Sequence, residues 1–368
     1  MTVTRIPSLR IGDFEAKVPV IQGGMGVGVS LSNLSSAVAN AGGIGVIATP
    51  GIGQFEPDWD LNPIEANRRA LRKEILLAKS QTSGLIGVNV MVALTDFDGL
   101  IQCSVDAGAN VVLLGAGLPT TLPDSLPLGE LGQLQTKFIP IVSSARAAEL
   151  VFKAWKKRYN HAPDAVVVEG PLAGGHLGFK REQIEDPDFA LEKLLPPVVE
   201  AVKAYEDHFS KHIPVIAAGG VYTGQDIYNM MQLGAGGVQM GTQFVTTHEC
   251  DAAHAFKQAY LDCEKDDIII INSPVGLPGR AIRGSFLDRV LSGVKEKFKC
   301  NWKCLRSCDF KKVPYCIAQA LTNAKKGLLD EGFSFAGANA YRAEKIVSVQ
   351  ELIDKLVEEY VAAAQAAV

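Results

Sequence analysis

Short apolar runs alternate with helix-like stretches through the first 260 or so residues. VPVIQ (18–22), IGVIA (44–48), LIGVNVMV (85–92), VVLL (111–114), FIPIV (138–142), AVVVE (165–169), IPVIAA (213–218) and GGVQM (236–240) carry few polar positions. Near-continuous apolar runs of this length predict strands buried on both faces, the mark of a parallel sheet. A helical segment is expected after each. One lies near 32–41. Another spans 63–80, with Asn62 as N-cap, Pro63 in the first turn and Glu65 three residues after the cap. Its Leu71, Ile75 and Ala78 fall on one face.

Eight strand–helix units place the chain in the α/β class and predict a closed (β/α)8 TIM barrel. The alternative is an open doubly wound sheet. QGGMGVG (22–28) offers glycines near the Gly-x-Gly-x-x-Gly spacing of that fold, but they are misplaced and no clear acidic ribose partner follows.

The pattern changes after Leu261. Residues 266–320 read as an inserted, lid-like segment that carries a cysteine cluster over the C-terminal face of the barrel. Residues 1–265 and 321–368 supply the barrel itself, ending in an amphipathic helix.

Composition narrows the class. The chain has 368 residues, 47% apolar and 21% charged, with a formal net charge of −4. No long basic run marks a nucleic-acid footprint. No apolar stretch reaches the ~20 residues a membrane span needs. The start lacks a secretory apolar segment, so a cytoplasmic location is expected. Seven cysteines in such a chain argue against a disulfide framework.

In a barrel of this kind the chemistry sits where the strands end. Gln22-Gly23-Gly24-Met25-Gly26 follows the first strand, and Asn89 lies in the third. Glu169-Gly170 ends the sixth and leads to Gly174-Gly175-His176. Ala218-Gly219-Gly220 ends the seventh, and Gln239-Met240-Gly241-Thr242 the eighth. The last two clusters suit an anion, because glycines let backbone N–H groups approach it and Thr242 adds a hydroxyl. Tight turns would use the same glycines. Asn89 offers a donor and an acceptor to an imide-like ring edge, but a lone strand-end Asn serves equally as a turn former. His176, on a pliable glycine-spaced loop, is the candidate acid–base group. His161, His208, His212, His248 and His254 sit in helical or linker contexts where a structural role is favoured.

VIQGGMG, GVNVM, EGPLAGGHLGF, IPVIAAGGV and GAGGVQMGTQFVTTHE stand in the order and spacing of the nitronate monooxygenase (2-nitropropane dioxygenase) family. The chain resembles that family of FMN-binding TIM barrels from about residue 15 to 285 and again at FAGANA. Flavin-dependent enoyl-acyl-carrier-protein reductases and some NAD(P)H:quinone reductases are similar. The resemblance implies FMN, with its ring near Gly23, Gly24, Met25 and Asn89. It implies the phosphate on Gly219, Gly220, Gly241 and Thr242, with Gln239 near the ribityl chain and Glu169, Gly175 and Met240 also at the cofactor. His176 matches the catalytic histidine. Two activities remain open: oxidation of an alkyl nitronate with O2, or NAD(P)H-dependent reduction of an enoyl thioester or quinone. A small-molecule substrate is expected for both and acyl carrier protein as a partner for the second; a homodimer is one assembly the sequence leaves open.

One element departs from the family pattern. CNWKCLRSCDFKKVPYC holds Cys300, Cys304, Cys308 and Cys316 in the spacing C-x3-C-x3-C-x7-C. The first three would share a face if helical. Four thiolates suit a [4Fe–4S] cluster or a zinc ion, although the spacing matches neither common zinc signature. Four reduced cysteines that merely pack the segment are the plain alternative.

Overall fold

A computed structural model describes residues 5–300 and 302–367. It begins with a small antiparallel hairpin, β1 (Leu9–Ile11) and β2 (Phe14–Ala16). The parallel strands follow: β3 (Val20–Gln22), β4 (Ile44–Ala48), β5 (Leu85–Met91), β6 (Val111–Gly115), β7 (Lys137–Val142) and β8 (Val166–Glu169). After the short β9 (Gly175–His176) come β10 (Val215–Ala218) and β11 (Gly237–Met240), then β12 (Ile268–Asn272) and β13 (Pro278–Ile282). Strands β3 to β8 with β10 and β11 close into one eight-stranded barrel, so the open-sheet alternative is excluded.

Each barrel strand is buried on both faces, as its composition requires. Ile21, Ile44, Val46, Val111, Leu113, Ile139, Val167 and Ile216 fill the interior. Their neighbours Val20, Val166, Val168, Val215, Ala217 and Val238 pack outward against the helices. Leu9 and Ile11 of the first hairpin join the interior cluster and close one end.

Two local expectations need correction. The helix Pro63–Gln81 has Asn62 at its N-cap and Pro63 in its first turn, but the Asn62 side chain makes no capping bond. Glu65 pairs with Arg68 at 3.2 Å instead. No α-helix follows β6. Pro119, Pro123 and Pro127 remove the backbone donors a helix needs there, and the chain runs through a loop to a 3-10 turn at Leu128–Gln133. The terminal helix Val349–Ala366 forms, and its Ser348–Glu351 capping box is complete.

Beyond residue 265, β12 and β13 form a hairpin whose second strand pairs antiparallel with β9. No helix of the described residues is long and apolar enough to cross a membrane.

Candidate active site

His176 is not on a free loop. It is the second residue of β9, opposite Gly279 of β13. Leu177 donates its N–H to Pro278 O at 2.9 Å, and Leu177 and Phe179 anchor the following turn in a small apolar cluster with Ala173 and Ile184. The stiffness comes from strand pairing that joins residues about a hundred positions apart, which local composition does not announce.

The imidazole Nε2 lies 2.7 Å from the hydroxyl of the buried Ser273, and Phe335 packs edge-to-face against the ring with centroids 5.0 Å apart. Burial pulls the His176 pKa down to about 4, so the ring is neutral at pH 7. If Nε2–H donates to Ser273, Nδ1 is left as a base. If Ser273 donates to Nε2, Nδ1–H becomes a donor.

Arg280 holds the approach to this histidine. Its buried guanidinium donates to Pro171 O and Ala173 O, both at 2.6 Å. Those carbonyls lie in the turn that carries the chain from Glu169 to His176. Burial, with Arg181 nearby, lowers the Arg280 pKa to about 10. Ser273 and Arg280 are the two site residues that the strand-end reading misses.

His176 opens into a cavity of about 390 Å³. Met91 and Leu94 face it from the end of β5, and Cys300, Cys304 and Cys316 face it from the cysteine segment. Gly219, Gly220, Gly241 and Thr242 are not among its lining residues.

The glycine clusters meet at a second corner, where β10, β11 and β3 are consecutive strands. Gly23 donates its N–H to Met240 O at 2.8 Å, tying the loop after β3 to the end of β11. Gly24 lies directly against the Asn89 side chain, where a Cβ would collide with it. Gly219 has φ +85°, and a Cβ there would stand 2.5 Å from Gly170 O. The FAGANA stretch covers this corner. Asn339 donates to Gly220 O at 2.8 Å, and Gly337 sits against the Thr242 hydroxyl.

The corner suits FMN on the structure's own terms. Gln239 Oε1 is buried and has no hydrogen-bond partner, which a ribityl hydroxyl would supply. A Cβ added at Gly241 would meet only Met25, in ordinary contact with Sδ at 3.8 Å. Backbone N–H groups and the Thr242 hydroxyl are the donor set a phosphate takes.

Glu169 ends β8 in register with Ala218 of β10. Burial alone pushes its pKa up to about 7. The unfolded carboxyl titrates near 4.5, so the folded state prefers the neutral form. Stability from this group is therefore present below the unfolded value and is lost as pH rises through about 7. Glu169→Gln removes that titration. Urea unfolding of flavin-free protein should show the variant gaining on its parent by up to about 3 kcal/mol between pH 5 and pH 8. An equal difference at both pH values would refute the shift.

The described residues of the cysteine segment form no helix, so the first three thiols share no helix face. It is pinned to the loop after β5. Thr95 N–H donates to Cys304 O at 3.0 Å, Arg306 N–H to Ala93 O at 2.9 Å, and Leu94 bridges Leu305. Burial pushes the Cys304 thiol up to about 12, and Cys316, Cys308 and Cys300 add to the shift. Among the described residues no three His, Cys, Asp or Glu side chains are gathered closely enough to hold one metal ion.

A closed barrel with a buried, neutral imidazole and clustered glycines at its strand ends is the frame of a flavin-dependent oxidoreductase. The nitronate monooxygenase family model matches residues 8–359, and the chain belongs to that family. It is similar to the (3aS,4S,5R,7aS)-5-hydroxy-7a-methyl-1-oxo-octahydro-1H-indene-4-carboxyl-CoA dehydrogenase of Mycobacterium tuberculosis, at 29% identity over 76% of this chain and 67% of the relative. A probable nitronate monooxygenase of Staphylococcus saprophyticus is 26% identical over 76% of this chain and 79% of its own. Among solved structures, FabK from Thermotoga maritima superposes with a TM-score of 0.71 at 27% identity, covering 95% of this chain and 94% of that one. The nitroalkane oxidase of Streptomyces ansochromogenes, at 23% identity, shares the fold with a TM-score of 0.72, covering 95% of this chain and 98% of its own.

Proposed function

We propose that this chain is an FMN-dependent enzyme that oxidises alkyl nitronates. The observation that carries the reading is His176, a neutral imidazole held by Ser273 and opening into a cavity faced by Met91 and Leu94. FMN, held by Gly219, Gly220, Gly241 and Thr242 at its phosphate and by Gly23, Gly24, Met25 and Asn89 at its ring, supplies the redox chemistry when bound. The chain's own part is acid–base work and positioning. With Nε2–H turned to Ser273, Nδ1 takes the acidic proton of a neutral nitroalkane and so forms the nitronate that is then oxidised. With Ser273 donating to Nε2, Nδ1–H stabilises the oxygen of the nitronate. The base role needs a ring that is uncharged before substrate arrives, and its burial provides that; the donor role needs only the Nδ1–H. Family membership and the staphylococcal relative support the choice of nitronate.

A second reading is an NAD(P)H-dependent reductase of an acyl thioester. Lys299 and Lys326 face the same cavity, and cations there suit the phosphates of a substrate carried on coenzyme A or acyl carrier protein. The mycobacterial relative, named for a carboxyl-CoA substrate, favours this possibility. Anaerobic spectroscopy separates the two. NADH and NADPH should leave the flavin oxidised, while propionate 3-nitronate should be consumed in air. Rapid bleaching by a nicotinamide, with no consumption of nitronate, would transfer the assignment to the reductase.

A further inference from the structure

We propose that Cys300, Cys304, Cys308 and Cys316 hold a [4Fe–4S] cluster at the rim of the His176 cavity. The segment that carries them is built into the barrel. Its backbone is bonded to the loop after β5 at Cys304 and Arg306 and bridged to it at Leu305. Trp302 packs edge-on against Trp59 at 5.7 Å, and its carbonyl accepts from the Cys300 thiol at 3.1 Å. Cys304 and Cys308 pack against one of the main apolar clusters. Three of the four cysteines line the cavity that His176 also lines. All four are free thiols.

The arrangement favours a cluster over a single ion. A structural zinc draws four sulfurs to about 2.3 Å from one centre, which leaves them nearly in contact. Among the described residues no group of three or more His, Cys, Asp or Glu is placed to hold one metal ion. A cubane takes one thiolate on each of its irons, so its sulfur ligands stand further apart around a larger body. The spacers also differ from the paired two-residue knuckles common in zinc sites. Lys297, Lys299, Lys303, Arg306, Lys311 and Lys312 lie in the same stretch and offset the charge of four thiolates.

The inference does not depend on which substrate the enzyme oxidises or reduces. Its test is metal analysis of the full chain, made and purified without oxygen and then incubated with ferric iron, a thiol reductant and sulfide. Iron and acid-labile sulfide are expected in equal amounts, about four of each per chain. Cys308→Ser, which does not touch the cavity, should lose most of the iron and keep its flavin. Cys103→Ser, on the helix Phe97–Asp106 and outside both the four-cysteine segment and the cavity lining, should keep both. Zinc in place of iron, no metal after incubation, or iron that survives substitution at each of the four positions would overturn the proposal. Should the serine variants fail to fold, the metal content of the unaltered chain decides the matter alone.

Discussion

His176→Ala is expected to keep its FMN and to lose turnover by about 10²–10⁴-fold, the usual worth of a positioned acid–base group. The flavin should stay because the glycine corner lies at the ends of β3, β10 and β11, whereas the imidazole sits on β9 and the cavity it lines does not include Gly219, Gly220, Gly241 or Thr242. Fold damage should be small. The side chain packs against Phe335 and bonds Ser273, but β9 is held through its backbone and by Leu177 and Phe179. His176→Gln provides the control: it can still bond Ser273 but cannot transfer a proton, so it should be as impaired as the alanine variant. The pH profile adds a second readout. A ring pulled down to about 4 is already neutral at pH 5. The acid limb of kcat/KM should therefore fall near pH 4, well below the ordinary imidazole range of about 6.5. Unchanged turnover in the alanine variant, or an acid limb near 6.5 that persists in it, would remove His176 from the chemistry.

The barrel was readable because its strands are buried on both faces. Val and Ile runs such as Val166–Val168 and Val215–Ile216 announce that state by composition alone. Elements set by local turn chemistry were only partly seen. The β1–β2 hairpin turns through Gly12 and Asp13, a short-turn signal that lies outside the parallel-strand pattern. The loop after β6 carried its own warning in three prolines. The glycine corner was legible because strand ends in a barrel converge whatever their separation in sequence. What could not be read is the pairing across distant segments. Ser273 reaches His176 over 97 positions, and Arg280 reaches Pro171 over 109, through a hairpin whose docking on β9 no periodicity encodes. His176 looked mobile for the same reason, since glycines flank it and its partners lie elsewhere in the chain.

Gly241→Val tests the flavin corner without disturbing the barrel. Most glycines there are unsuitable for such a test. Gly219 has a positive φ, and a side chain would strike the Gly170 backbone, so any loss of flavin could reflect misfolding. Gly24 abuts Asn89. Gly241 has φ −116° and ψ −51°, a conformation open to any residue, and an added Cβ meets only Met25, no closer than 3.8 Å. The valine should therefore cost the flavin-free protein no more than about 0.5 kcal/mol. Its methyls would occupy the space through which the backbone at Gly241 and Thr242 reaches a phosphate. Losing two charge-assisted hydrogen bonds, at about 1.5–3 kcal/mol each, should weaken FMN binding by 100-fold or more. Riboflavin, which has no phosphate, should bind parent and variant nearly alike, so the ratio of the two affinities locates the damage at the phosphate. Equal FMN affinity in parent and variant would mean that the phosphate does not lie between the ends of β10 and β11, and Gln239 would need another partner for its buried oxygen.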